Sequence, residues 1–521
     1  MTALQPAAAP PPSSSSSSPA SSASRSSGPA ASSSDGPPVS SSGPRPARQP
    51  TVARVPFPLV DEVSRHCLED DEPETVHIEV HLPGRVDPAR LRTAFRQALA
   101  RHPRILMRQE PVRWWRRRYL WQLTAAPDVD PVVVAPPGPD ALRHARERAL
   151  SHCPPLDAAP PVRLEIVGQP GAGTGDGTVL LLTINHTALD GPACLRVLAT
   201  AAELYGGADN SPAPPPIRAT GPGTEHPDDA LDPGGTGHRF SRPVRIAAHH
   251  EGDGGTGGGN SMLVTELPVP ARPPRVDGRA PYTVNDQLLV ATCLMVARWN
   301  RLHARRTAPV VVTMPVDDRP RDAGMPIGNG TRLVSVGFGP EERRDAGPLT
   351  ADPPDPDAVA RLLRRTAART RALKSAPPGP QLGLSGAVLT APVLPVGLRG
   401  AAARALRAAA APWTSTTLLS NIGRIPYPLD FGDAGRPTAV WFSAPARMPR
   451  GLTVTTVSVG GRIQLALRWS HALLDDAAGA RLGALFRSSL AATGRPDSDA
   501  PPPPGPPPPP PPAAPTEGRA R

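Results

Sequence analysis

The sequence predicts an α/β protein of two related lobes, each a mixed sheet flanked by helices, set between terminal tails that do not pack. Three observations carry this. Strand-like and helix-like segments alternate through the middle of the chain. A unit of strand, His-x-x-x-Asp and helix occurs at His186–Asp190 and recurs at His471–Asp475, as a duplicated architecture would require. Residues 1–50 are almost wholly Ser, Ala, Pro and Gly, and 496–521 are dominated by a proline run followed by a short polar tail. Neither tail has the apolar surface to offset its ordering entropy, so both are expected to be disordered. Roughly 440 residues remain, enough for two sizeable cores.

The N-terminal lobe is expected over 51–205. Val76 to Leu82 alternates apolar and polar residues like a strand. A helix opens at Asp87-Pro88, with Asp87 as cap and Pro88 in the first turn, where its missing N–H costs nothing. Leu91, Ala94, Phe95, Ala98 and Leu99 form its apolar face, and Pro103 ends it. Ile105–Met107 and Trp114–Leu123 read as further strands, and Asp140–His152 as a helix. Val162–Val167 alternates like a half-buried strand. Val179–Ile184 is a continuous apolar run, which suits a strand buried on both faces. It leads directly into His186, and Pro192–Leu204 has the pattern of a helix beyond it.

Residues 206–260 are rich in Gly and Pro without periodicity, and are expected to link the lobes. The C-terminal lobe is expected over 261–495. It opens with a strand at Met262–Leu267 and a helix at Val284–Leu302, capped by Thr283 or Asn285. A short strand at Val310–Pro315 and an Arg-rich helix at Ala358–Leu373 follow. Thr416–Asn421, Ala439–Ser443, Leu452–Val459 and Ile463–Trp469 read as strands, and Ala477–Leu490 as the last helix.

Composition excludes several classes. The net charge of +11 invites a nucleic-acid partner, but Lys374 is the sole lysine and the arginines are interspersed with carboxylates. That pattern argues for GC-biased coding rather than a nucleic-acid surface. The four cysteines, Cys67, Cys153, Cys194 and Cys293, lack metal-ligand spacing and read as thiols inside the fold, with no metal implied. No secretory pattern opens the chain and no run reaches the ~20 apolar residues of a membrane span. A cytoplasmic protein without a transmembrane segment is expected.

The segment His186-Thr-Ala-Leu-Asp190-Gly191 carries the candidate chemistry. With 13 His and 47 Gly in the chain, chance supplies HxxxDG about 0.1 times. An imidazole leaving the end of a strand can point between lobes, where its near-neutral pKa suits proton abstraction from a hydroxyl or amine. An Asp four residues on can turn back and anchor the loop through an Arg. Gly191 permits close approach or positive φ. A loop histidine followed by a capping aspartate is the alternative reading.

These residues resemble the condensation-domain-like acyltransferases, built from two lobes of chloramphenicol-acetyltransferase type. That superfamily includes peptide-synthetase condensation domains, polyketide-associated acyltransferases, wax ester synthases and the plant BAHD enzymes. LRTAFRQALARHPRILMR (Leu91–Arg108), PPLD at Pro154–Asp157 through PVRL at Pro161–Leu164, and NHTALDG (Asn185–Gly191) carry the likeness in the first half. TVNDQLLVATCLMVARW (Thr283–Trp299), MPVDDRPR (Met314–Arg321) and SNIGRIP (Ser420–Pro426) carry it in the second. The segments keep the superfamily's order over residues 55–492.

The resemblance implies a monomer whose lobes form a pseudo-dimer, and a thioester-dependent acyltransferase of secondary metabolite or lipid biosynthesis. His186 would be the general base. The donor would be an acyl-CoA or an acyl-phosphopantetheine on a carrier protein, taken as co-substrate with no bound cofactor. The acceptor would be a small-molecule hydroxyl or amine. Asp190 and Gly191 would be structural, with Arg319 as partner of Asp190, and Ser420 and Asn421 could bind the oxyanion or substrate. Many relatives carry a second His where this chain has Asn185. That departure motivates the alternative of an inactive condensation-like protein that docks a carrier protein or assembly-line partner.

Two further signals have competing explanations. His471 with Asp475 and Asp476 lacks the following Gly and reads as the structural counterpart of the first motif. Val112–Trp121 interleaves Arg with aromatic residues. This suits either a grip on coenzyme A phosphates or an edge strand with Trp inward and Arg outward.

Overall fold

A computed structural model describes residues 53–494, apart from 69–71, 170–176, 209–241, 252–257, 272–274, 276–279, 306–307, 318, 320–325, 340–341, 343–345 and 376–390. Both expected tails and most of the expected linker lie outside the described residues.

The first half runs β1 (Arg54–Pro56), α1 (Leu59–His66), β2 (Thr75–Leu82), α2 (Pro88–Arg101), β3 (Met107–Gln109), β4 (Leu120–Leu123), β5 (Val132–Val134), α3 (Ala141–Ser151), β6 (Val162–Gln169), β7 (Gly177–Asn185) and α4 (Gly191–Tyr205). The second half runs β8 (Asn260–Pro268), α5 (Val284–Leu302), β9 (Val310–Asp317), β10 (Thr331–Phe338), α6 (Ala346–Thr350), α7 (Pro356–Ser375) and α8 (Val396–Ala410). It ends with β11 (Thr417–Arg424), β12 (Ala439–Ser443), β13 (Leu452–Val459), β14 (Arg462–Ser470) and α9 (Asp476–Ala492). The strands form mixed sheets ordered β12-β2-β7-β6-β5 and β10-β9-β11-β13-β14-β8, with a small third sheet β1-β4-β3. This is the α/β arrangement the sequence predicts.

Local chemistry explains the elements that were legible. Asp87 caps α2 by accepting from the backbone N–H groups of Ala89 and Arg90 at 2.8 and 3.3 Å. Every residue expected on that helix's apolar face is buried. Thr283, rather than Asn285, caps α5, and Asp286 closes the capping box. Strand β7 lies between β2 and β6, which is why its apolar run needs no polar face. The same position aims its C-terminus, Asn185, at the seam with the second half.

Two expected strands are corrected. Ile105 closes a 3₁₀ turn that begins at Pro103, and pairing starts only at Met107. Trp114–Leu123 is a strand only from Leu120. Upstream of it, the carbonyls of Trp114 and Arg116 accept from Gly397 and Val396 at the start of α8 instead of from a strand neighbour. Trp114 and Trp115 consequently face solvent, and only Trp121 packs inward.

One strand crosses between halves. β12 lies late in the chain but pairs antiparallel with β2, from Ala439 opposite His81 to Ser443 opposite His77. Its Phe442 is buried in the first core beside Val76 and Gly191. A second core gathers α5, α7 and α9 around β9, β13 and β14, and takes in Val244, Ile246 and Ala247 from the segment before β8. Phe442→Ala should therefore cost about 3–5 kcal/mol in urea unfolding, as for a buried aromatic. A loss below ~1 kcal/mol would show that β12 contributes little to the first core.

Candidate active site

The loop that follows β7 is built on the amide of Asn185. Its Nδ2 donates to the Pro154 carbonyl at 2.8 Å and its Oδ1 accepts from the Thr187 N–H at 3.1 Å. Its own carbonyl accepts from Ala188 and Leu189, closing a tight turn. Asn185 thus supplies a donor and an acceptor to the turn. The His186 N–H donates to the Glu74 carbonyl at 2.8 Å.

The His186 ring is half-buried, and its Nδ1 lies 3.0 Å from the Leu189 carbonyl. A carbonyl oxygen can only accept, so Nδ1 carries the proton in the neutral ring and Nε2 holds the free lone pair. The fold therefore fixes the tautomer of the neutral ring.

Asp190 is buried and fully used. Its Oδ1 caps α4 by accepting from Ala193 N–H at 3.0 Å. Its Oδ2 accepts from Gly330 N–H at 3.0 Å and lies 2.9 Å from Arg319 Nη2. Arg319 also donates to Asp317 through Nε at 2.9 Å and to the Gly328 carbonyl through Nη1 at 3.0 Å. Burial pulls the Arg319 pKa down, but the carboxylates of Asp317 and Asp190 more than compensate and hold it above its ordinary value. The expected Asp190–Arg319 pairing is present. Gly191 is not in the positive-φ region. A Cβ there would lie 3.4 Å from the Phe442 ring, at ordinary contact distance, so the packing leaves room for one.

Residues that the sequence reading missed complete the enclosure. Asn329 Nδ2 lies 3.1 and 3.0 Å from the carbonyls of His186 and Thr187, and 3.0 Å from Asp61 Oδ1. Asp61 Oδ2 accepts from Trp121 Nε1 at 2.9 Å. Ser64 Oγ meets Thr187 Oγ1 at 3.1 Å, so α1 grips the loop from its other side. Burial raises the Asp61 pKa from 3.8 to about 6, against the opposing pull of Asn329, Trp121 and the charge of His186. Gly328-Asn329-Gly330 is legible as a turn. Nothing in its composition says that it closes over a loop some 140 residues away.

Ser420 and Asn421 occupy a different cluster. Asn421 donates to Asn285 Oδ1 at 3.2 Å and accepts from Thr456 Oγ1 and the Gly423 N–H. Among the described hydrogen bonds, none joins either residue to the loop 185–191. A cavity of about 730 Å³ opens beside Asn185, lined also by Arg65, Glu74, Gln109, Cys153 and Leu156. Burial, with Glu74 adding to it, pushes the Cys153 thiol up to about 12, which leaves it unsuited as a nucleophile. Among the described residues no cluster of His, Cys, Asp or Glu has the arrangement of a metal site. Also among them, no helix is long and apolar enough to cross a membrane.

The fold is shared with solved structures of an acetyltransferase and of condensation domains. Trichothecene 15-O-acetyltransferase TRI3 from Fusarium sporotrichioides matches with a TM-score of 0.55 at 13% identity, over 84% of this chain and 95% of that one. The condensation domain of the monacolin K polyketide synthase MokA matches with a TM-score of 0.53 at 14% identity, over 85% and 98%. A mutant starter condensation domain of the rhizomide synthetase RzmA, in complex with C8-CoA and Leu-SNAC, matches with a TM-score of 0.53 at 13% identity, over 85% and 95%. In sequence, the chain is 28% identical over 435 residues to the uncharacterized protein Rv2305 of Mycobacterium tuberculosis, covering 80% of this chain and 94% of that relative. No family profile matches the chain.

Two predictions follow from the enclosure. A Cβ at Gly330 would fall 2.3 Å from Arg319 Cδ, whereas one at Gly191 meets its nearest neighbour at 3.4 Å. Gly330→Ala should push Arg319 off Asp190 and cost about 3 kcal/mol or more, as when a buried ion pair is broken. Gly191→Ala should cost below ~1 kcal/mol. Urea unfolding of both variants checks the order, and equal losses would refute it.

The second concerns pH. Between about 4 and about 6 the folded chain keeps a proton on Asp61 that the unfolded chain has released. The stability contributed by this site is therefore lost as pH rises through that window, and is level above it. Relative to Asp61→Asn, the native chain should lose on the order of 2 kcal/mol from pH 4 to pH 7 in urea titrations. A pH-independent difference would show that Asp61 titrates normally.

Proposed function

We propose that the protein transfers an acyl group from a thioester, carried by coenzyme A or a carrier-protein phosphopantetheine arm, to a hydroxyl or amine. The observation that carries this reading is the bond between His186 Nδ1 and the Leu189 carbonyl, which leaves Nε2 as the free base of a fixed ring. Acyl transfer needs such a group. Nε2 takes the proton from the acceptor hydroxyl or amine as that atom attacks the thioester carbonyl carbon. The tetrahedral adduct then collapses, its C–S bond breaks, and the thiolate recovers the proton from Nε2.

Asp190, Gly191 and Arg319 act in this proposal by positioning, since their contacts are with the loop and not with the ring. Ser420 and Asn421 are proposed to reach the oxyanion or substrate from the second sheet. The fold shared with TRI3 and with condensation domains supports the reading, as does the C8-CoA in the RzmA complex. A place in secondary metabolite or lipid biosynthesis is part of the same proposal. The Asn185 amide is spent on the turn, so the lack of a second His leaves Nε2 untouched.

The test is His186→Ala with acyl-CoA and carrier-bound donors against a panel of alcohols and amines, with products read by mass spectrometry. A loss of at least ~100-fold with unchanged unfolding is expected. If the variant keeps transfer within ~10-fold of the native chain, His186 is not the base.

A further inference from the structure

The segment Arg113–Arg118 and the start of α8 form a surface that the acyl-transfer reading does not use. Trp114 and Trp115 are 64% and 49% exposed, and their rings meet edge to face at 5.8 Å. Next to them stand Val393, Leu394 and Leu398, which are 75%, 52% and 52% exposed. The two parts are fastened together. The carbonyls of Trp114 and Arg116 accept from the N–H groups of Gly397 and Val396 at 2.9 and 2.7 Å. Arg399 holds the Arg117 carbonyl and is itself paired with Glu62 of α1 at 2.6 Å. Gly397 admits Trp114 so closely that an added Cβ would lie 3.0 Å from the Trp114 Cβ. The tryptophans are therefore presented outward by a braced loop.

From Leu398 the exposed face of α8 continues through Ala402, Ala405 and Ala409 without a polar side chain. Around this apolar ground stand the exposed Arg113, Arg116, Arg117, Arg118 and Arg404. Neither 111–123 nor 391–413 contains a carboxylate. A cavity of about 540 Å³ opens under the loop, lined by Arg54, Arg116, Arg117 and Arg118, with Glu110 as its one acid.

Paired tryptophans beside aliphatic side chains, ringed by arginines, have the composition of a segment that lies in a bilayer interface. Apolar patches of this kind on a surface mark an interaction site. The residues project rather than form a groove, and the alanine face offers no hydrogen-bonding pattern for a folded partner to match. A fluid anionic surface needs neither. We infer that this face docks the protein on anionic lipid surfaces, with Trp114 and Trp115 entering the interface and the arginine-lined cavity receiving a headgroup phosphate.

The inference is independent of the proposed acyl transfer, and vesicle co-sedimentation of the full chain tests it. Vesicles of phosphatidylcholine with about one third phosphatidylglycerol should bind it at least ~10-fold better than pure phosphatidylcholine, with the gain lost in high salt. The double variant Trp114→Ser/Trp115→Ser should lose that binding ~10-fold or more, as should Arg116→Ser/Arg118→Ser. Leu302→Ser, at an exposed apolar position on another element, should bind like the native chain. All three variants change exposed side chains, and their urea unfolding should match the native chain.

Equal binding to neutral and anionic vesicles would overturn the inference, as would equal loss in Leu302→Ser. Sedimentation as a dimer that the tryptophan variant dissociates, without vesicle binding, would assign the face to self-association instead. Binding to soluble inorganic phosphate or an acidic carrier protein, with none to anionic vesicles, would likewise overturn it.

Discussion

Asp190 ties the two halves of the molecule together through three kinds of contact at once. One buried carboxylate caps α4, accepts the Gly330 N–H and pairs with Arg319, whose guanidinium is in turn held by Asp317 and the Gly328 carbonyl. A buried ion pair adds little net stability, since desolvation offsets most of the attraction, but removing either partner strands a charge. The pair thus works as a constraint. It lets the end of β9 and the turn 328–330 approach the loop after β7 in one arrangement only. That arrangement puts Asn329 on the carbonyls of His186 and Thr187. The orientation of His186 depends on this chain of contacts as much as on its own bond to Leu189.

The arginine content looks different once the fold is known. Arg196, Arg399 and Arg468 are among the largest fully buried side chains. Arg468 donates to Asn260 Oδ1 and to the Thr75 carbonyl, both at 2.7 Å, and so ties β14 to the start of β2. Burial depresses its pKa to about 10, which still leaves it charged at neutral pH. Arg399 similarly links α8 to α1. Part of the basic excess therefore serves as internal hydrogen-bonding struts across the seam. The planar five-donor guanidinium suits that use better than an ammonium would.

Much of the architecture was legible because its signals are local. Asp87-Pro88, Thr283 with Asp286, and the apolar faces of α2 and α5 each declare themselves within a few residues. The run into His186 is equally plain, and from it the position of the candidate base at a strand end. What was not legible depends on long-range pairing. β12 reads as an ordinary strand, and nothing in Ala439–Ser443 says that it will pair with β2, more than 350 residues earlier. Trp114–Leu123 reads as a strand, yet the carbonyls of Trp114 and Arg116 are claimed by the N-terminus of α8. Asp61 and Asn329 were missed for the same reason, since their significance lies only in what they touch.

The two copies of strand, His-x-x-x-Asp and helix show how far a motif goes by itself. Asp475 caps α9 by accepting from Ala478 N–H at 2.8 Å, just as Asp190 caps α4. Up to that point the copies are equivalent. At the second copy, however, the Asp475 carboxylate accepts from the Glu251 backbone rather than pairing with an arginine. The His471 side chain is 37% exposed, with Asp476 3.9 Å from its Nε2. Both histidines are half-buried, so the shared local sequence sets a capped helix start in each half and the copies differ in what holds the loop around them. The difference comes from Arg319, Asn329 and α1 closing over the first copy, so the setting of His186 belongs to the seam between the halves rather than to the six-residue motif.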